Sequence, residues 1–81
     1  MDAKLLQMLR CPFDQSELAI ADAALLERLN VAIGQGDARD RAGQRVDRPI
    51  QSGLVTADGK WVYPVRGGIP VLIAGQAIAT P

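Results

Sequence analysis

The sequence predicts an α+β fold: an N-terminal helix against a small antiparallel sheet, with a second helix inserted at one side. Three observations carry that reading. Apolar residues recur at helical spacing from Asp22 to Ile33, an Asp-Gly pair separates two β-rich runs in the C-terminal third, and 81 residues allow one domain, 1–81. At this size a single core leaves only about a few kcal/mol of net stability, which small domains often supplement with a disulfide or a metal clip. One cysteine and no histidine supply neither. Stability must come from packing, alone or shared with a partner.

Asp2 is placed to cap a short helix carrying Leu5, Leu6, Met8 and Leu9, which Pro12 ends. Phe13-Asp14-Gln15-Ser16 reads as a turn, and Leu18 and Ile20 then alternate as in a strand. Leu25, Leu26, Leu29 and Ile33 form one helical stripe, with Asp22 as N-cap and Gly34 as C-cap. Residues 34–45 hold almost nothing to bury and interleave both charge signs, which predicts a mobile surface loop; with the helix it forms an insertion over about residues 21–48.

Leu54-Val55-Thr56 and Trp61-Val62-Tyr63, joined through Asp58-Gly59, predict a hairpin whose second strand Pro64 restricts to an edge or to its own end. Arg66-Gly67-Gly68 marks another turn. The continuous apolar run Ile69-Pro70-Val71-Leu72-Ile73 predicts a strand buried on both faces, and residues 74–81 a frayed tail. No internal repeat is present.

Nine basic and nine acidic side chains give zero formal charge. That balance argues against electrostatic binding of nucleic acid or membrane and removes the repulsion between copies. The N-terminal residues contain no apolar run long enough for a signal peptide or a span, so a cytoplasmic location is expected; a free thiol fits a reducing compartment.

Each chemically suggestive residue has a structural account. Cys11 as a nucleophile would need an activating base, and no histidine exists to be one, so a packed or remnant cysteine is expected. Asp14, Glu17 and Asp58 could pair for acid–base work, yet turn and capping roles account for them. Arg39, Arg41, Arg45 and Arg48 could meet phosphates, but Asp37, Asp40 and Asp47 interleave with them and three aromatics are few for base stacking. Gly67-Gly68 leads into no helix with a lysine behind it and so is no phosphate loop. Trp61 and Tyr63 share one strand face, as core or interface residues do. No catalytic residue and no enzymatic activity is expected.

Leu5-Leu6-x-Met8-Leu9-x-Cys11-Pro12 near the start and Tyr63-Pro64-Val65-Arg66-Gly67-Gly68-Ile69-Pro70-Val71-Leu72 near the end form a distinctive pairing. In these blocks the chain resembles the small activator subunits of S-adenosylmethionine-dependent methyltransferases and their short bacterial YcaR-like relatives. The resemblance covers 5–18 and 54–72; the segment between is not accounted for by the short members, though larger ones carry a helical insertion there.

The resemblance implies a zinc-ribbon-like fold. Zinc-holding members read Cys-Pro-x-Cys in the first block and supply further cysteines from the second half; the matching positions here are Cys11, Asp14 and Thr56, with Asp58 or Gly59 near a further one. One thiolate among hydroxyl and carboxylate oxygens is a poor structural zinc set, so no metal or other cofactor is expected. Asp14 and Thr56 are candidates to replace metal bonds by hydrogen bonds between the two knuckles.

For function, the resemblance implies a non-catalytic subunit that stabilises or activates a methyltransferase by strand addition and hydrophobic capping, the enzyme supplying the S-adenosylmethionine site. Leu5, Leu6, Leu9, Ile69, Pro70 and Val71 are the expected contact residues. The alternative is a stand-alone small protein that forms a homodimer through the same apolar surface. A thiol enzyme acting through Cys11 is the remaining class.

Overall fold

The computed structural model describes residues 9–12 and 15–81; the expected N-terminal helix, with Leu5 and Leu6, and the turn position Asp14 lie outside the described residues. The elements are β1 (Leu18–Ile20), α1 (Ala23–Gly34), β2 (Ser52–Thr56), β3 (Trp61–Arg66), β4 (Ile69–Pro70), a 3₁₀ turn (Ala74–Gln76) and β5 (Ile78–Ala79). The class is α+β: one α-helix among the described residues and a five-stranded antiparallel sheet ordered β1-β2-β3-β4, with β5 also on β3.

Helix α1 begins where the sequence places it. Asp22 holds extended backbone and its carboxylate accepts from Leu25 N–H at 2.8 Å, satisfying one of the donors a helix start leaves open. Its end differs from expectation. Gly34 is still helical, and the left-handed residue is Gly36 (φ 79°), whose N–H reaches Ile33 O while Asp37 N–H reaches Ala32 O. That pair of bonds is a Schellman closure, and glycine takes the positive φ without a Cβ penalty. The predicted stripe faces inward: Leu29 and Ile33 are buried, and Leu25, Leu26 and Ala32 pack beside them against Ala38, Ile50, Val62 and Ile78. Asn30 clasps the chain beneath, donating to Ile50 O (2.8 Å) and accepting from Ile50 N–H (2.9 Å).

The β2–β3 hairpin forms as expected, with a four-residue loop, 57–60, closed by Gly59 N–H on Thr56 O. Gly67 and Gly68 both have positive φ and make the tight two-residue turn between β3 and β4.

Three expectations are corrected. Pro64 does not place β3 at an edge, since β2 lies on one side and β4 and β5 share the other. Val71 N–H bonds to Pro64 O just past β4, so Pro64 keeps its acceptor in use although it has no N–H to return. The run Ile69–Ile73 is not a doubly buried strand: β4 is two residues long, and Ile69 and Ile73 are 69% and 57% exposed. Apolarity there serves a surface. Residues 74–81 are not a frayed tail, because Ala77 and Ile78 are buried and β5 pairs with Trp61 and Val62.

Nor is 34–45 a loose loop. Asp40 bridges to Ile78, Ala79 N–H bonds to Arg39 O, Arg41 N–H bonds to Ala77 O, and the buried Ala38 joins the core. The loop and the C-terminal segment supply each other's backbone partners, which composition does not record.

Candidate functional site

The two segments that carry the family resemblance meet at one end of the sheet. Around Cys11 the chain makes a tight knuckle: Cys11 N–H donates to Ser16 O (2.9 Å), Gln15 N–H donates to Cys11 O (2.8 Å), and Arg10 bridges to Glu17. Gln15 takes φ 65°, a left-handed position that costs an L-residue about 1–2 kcal/mol and that the closing bonds hold. Strand pairing sets Leu18 opposite Thr56 and so brings this knuckle beside the β2–β3 loop.

Within that loop Thr56 Oγ1 donates to Asp58 Oδ1 (2.5 Å) and accepts from Trp61 N–H (3.3 Å), while Asp58 Oδ1 also accepts from Lys60 N–H (3.0 Å). The hydroxyl of Thr56 is thus committed inside its own hairpin. A side-chain contact that crosses between the two blocks is Cys11 Sγ with the Tyr63 hydroxyl, at 3.0 Å and buried. Leu18, Leu54 and Ala77 enclose that pair, with Leu9, Trp61, Val65 and Leu72 at the margin.

A buried thiol against a phenol is a packed, hydrogen-bonded group. Cys11 is 3% exposed, which leaves a substrate little access to it. Among the described residues no three His, Cys, Asp or Glu side chains are grouped as a metal would need.

The partner-binding candidates scatter by environment. Leu9 is half-buried against the Cys11 cluster, Pro70 and Val71 are half-buried, and Ile69 stands out into solvent. Ile73 and Ile20, at 57% and 58% exposure, were not among the expected contacts. Ile73 was legible as the end of the apolar run; Ile20 was not, because its alternation with Leu18 predicts an inward face. Of the loop arginines, Arg39 bonds to the Gly36 carbonyl and Arg41 stacks 5.0 Å from the Trp61 ring centre, so both hold the protein's own structure.

Tyr63 is the residue sequence reasoning missed as a partner of Cys11. Alternation with Trp61 fixed which residues share its face, but the pairing across fifty-two positions follows only from register.

The architecture recurs in a solved protein. The solution NMR structure of XF2673 from Xylella fastidiosa, a structural genomics target, matches with a TM-score of 0.78 and 35% identity over 98% of this chain and 81% of that one. No family model and no curated protein matches the chain.

Proposed function

We propose a function for a chain that belongs to the same family as XF2673 of Xylella fastidiosa: it is a non-catalytic binding subunit that stabilises or activates an S-adenosylmethionine-dependent methyltransferase. The observation that carries this reading is the exposed apolar arm after the Gly67–Gly68 turn. Among the described residues, Ile69 and Ile73 are two of the four large hydrophobics that stand most exposed, and the residues between them are only half-buried. An apolar run kept on the surface of a small protein fits a partner that covers it.

The closed knuckle at Cys11, set beside the Thr56 hairpin, supports descent from a zinc ribbon. On this reading the Cys11–Tyr63 contact is one of the bonds that now tie the two halves together.

The arm contributes hydrophobic capping more than strand addition. Arg66 and Ile69 face one another across a two-residue turn and Val71 N–H turns in to Pro64, so Pro70 is the residue whose backbone faces out. It has no N–H to offer an added strand. Strand addition falls instead to β1, the other end of the strand order, where Ala21 N–H turns toward Gly53 and leaves the Ile20 backbone groups facing outward.

Affinity capture from the native cell, followed by mass spectrometry, tests the reading. A methyltransferase should be recovered with the native chain and lost with the Ile69→Asp, Ile73→Asp double variant. Recovery of no methyltransferase under conditions that retain other binders overturns the proposal, and a stable homodimer mass in size-exclusion chromatography that the same variant abolishes would favour self-association instead.

A further inference from the structure

Among the described residues, the sheet face opposite α1 carries one packed cluster and, beyond it, a groove. Beside Cys11, Leu9 and Trp61 pack over Leu18, Leu54 and Tyr63. Among the described residues, Ile20, Leu54, Val65 and Gly68 line an apolar groove of about 170 Å³ toward the opposite ends of β2 and β3. Past the same β3 end, Arg48, Gln51, Val65 and Arg66 line a second groove of about 220 Å³, with Val65 as a shared wall. The Gly67–Gly68 turn rises between them, with open space where each glycine's Cβ would stand.

The two grooves differ in chemistry. The first is lined by aliphatic side chains and small residues; the second presents two guanidinium groups, and its lining contains no carboxylate. Arg66 is already oriented there by donating to the Pro49 carbonyl at 3.4 Å. Because the whole chain is neutral, this pair is a local feature and not part of a general positive field.

We infer that the paired grooves recognise an acidic segment of a partner protein, one apolar side chain seating against Ile20, Leu54 and Val65 while a neighbouring carboxylate meets Arg48 and Arg66. Arginine suits that role, since its planar fork matches a carboxylate with two parallel hydrogen bonds. Neither lining holds an aromatic ring on which a base could stack, which favours a peptide over a nucleic acid. The inference rests on the protein-binding reading above but not on the partner being a methyltransferase.

The probe is a displayed library of random linear peptides selected on the full-length chain. Enriched sequences should pair a leucine, isoleucine or methionine with an adjacent aspartate or glutamate. Synthetic versions should lose about tenfold or more in affinity to the Arg48→Glu, Arg66→Glu double variant, and should weaken between about 50 and 300 mM salt. Both arginines are at the surface, and an unchanged melting temperature confirms that the variant folds.

Selection of apolar peptides without acid, affinity untouched by the charge reversal, or salt-sensitive retention of RNA through the same arginines would each overturn the inference. A methyltransferase captured equally by the native chain and the charge-reversed variant would leave the proposed function standing and sink this site. Acidic peptides bound through Arg48 and Arg66, with no methyltransferase in the capture, would do the reverse.

Discussion

The two faces of the sheet are built for different ends. On one, α1 lays Leu29 and Ile33 over Ile50, Val62 and Ile78, and the cluster is closed on all sides by the helix, the 37–46 loop and the C-terminal strand. On the other, Cys11, Leu18, Leu54 and Tyr63 are buried as a second cluster, while Ile20 on the same face is 58% exposed. Both derive from the same strands, since Leu54 and Val55, or Val62 and Tyr63, point to opposite sides. A closed face can carry much of the stability of so small a protein, and the proposed partner contact falls on the other.

The largest effect should come from emptying the closed face. Leu29 is fully buried, and Leu29→Ala removes atoms from the centre of the cluster, at an expected cost of about 2–5 kcal/mol. Chemical denaturation should show a midpoint low enough to leave a partly unfolded population in buffer. A loss below about 1 kcal/mol would mean that the helix is not the main support of the sheet.

Next is the line between the faces. Gly53 sits in β2 where a Cβ would lie 2.6 Å from Val62 Cγ1 and 3.2 Å from the Tyr63 carbonyl. Val62 is fully buried and β-branched, so it cannot swing away cheaply. Gly53→Ala is expected to cost about 1–3 kcal/mol by overpacking. Adding Val62→Ala should return part of that loss, and strictly additive penalties would show that the backbone contact alone is responsible.

Smaller still is the bond that joins the halves on the open face. In a double-mutant cycle, Cys11→Ala and Tyr63→Phe should couple by about 0.5–1.5 kcal/mol, the range of one buried neutral hydrogen bond. Zero coupling would reduce the pair to packing.

How much of this was legible in the sequence divides along the same line. Helix α1, its Asp22 cap and both turns could be read because local chemistry sets them: a carboxylate before an apolar stripe, and glycines where φ must be positive. The C-terminal segment could not. Residues 77–79 look like an apolar end with no strand length, and 37–46 like a solvated loop; each is ordered by backbone bonds to the other, a relation between distant residues that no local pattern encodes. The run 69–73 misled for a related reason. Continuous apolarity signals burial only if the protein itself supplies the cover. At the candidate site, Cys11 and Thr56 were found by motif, but Tyr63 as the partner of the thiol needed the register of β3.

The smallest expected change in stability sharpens the comparison most. If the arm exists to be covered by a partner, replacing its exposed residues by polar ones should cost the free protein almost nothing. The Ile69→Ser, Ile73→Ser double variant removes two side chains that are more than half in water, and for exposed positions the expected change is within about 0.5 kcal/mol each. Equal melting temperatures for native and variant chains, together with loss of partner capture, would assign the arm to binding. A drop approaching that of Leu29→Ala would instead make the arm part of the fold, and the open face would have to be counted as structural after all.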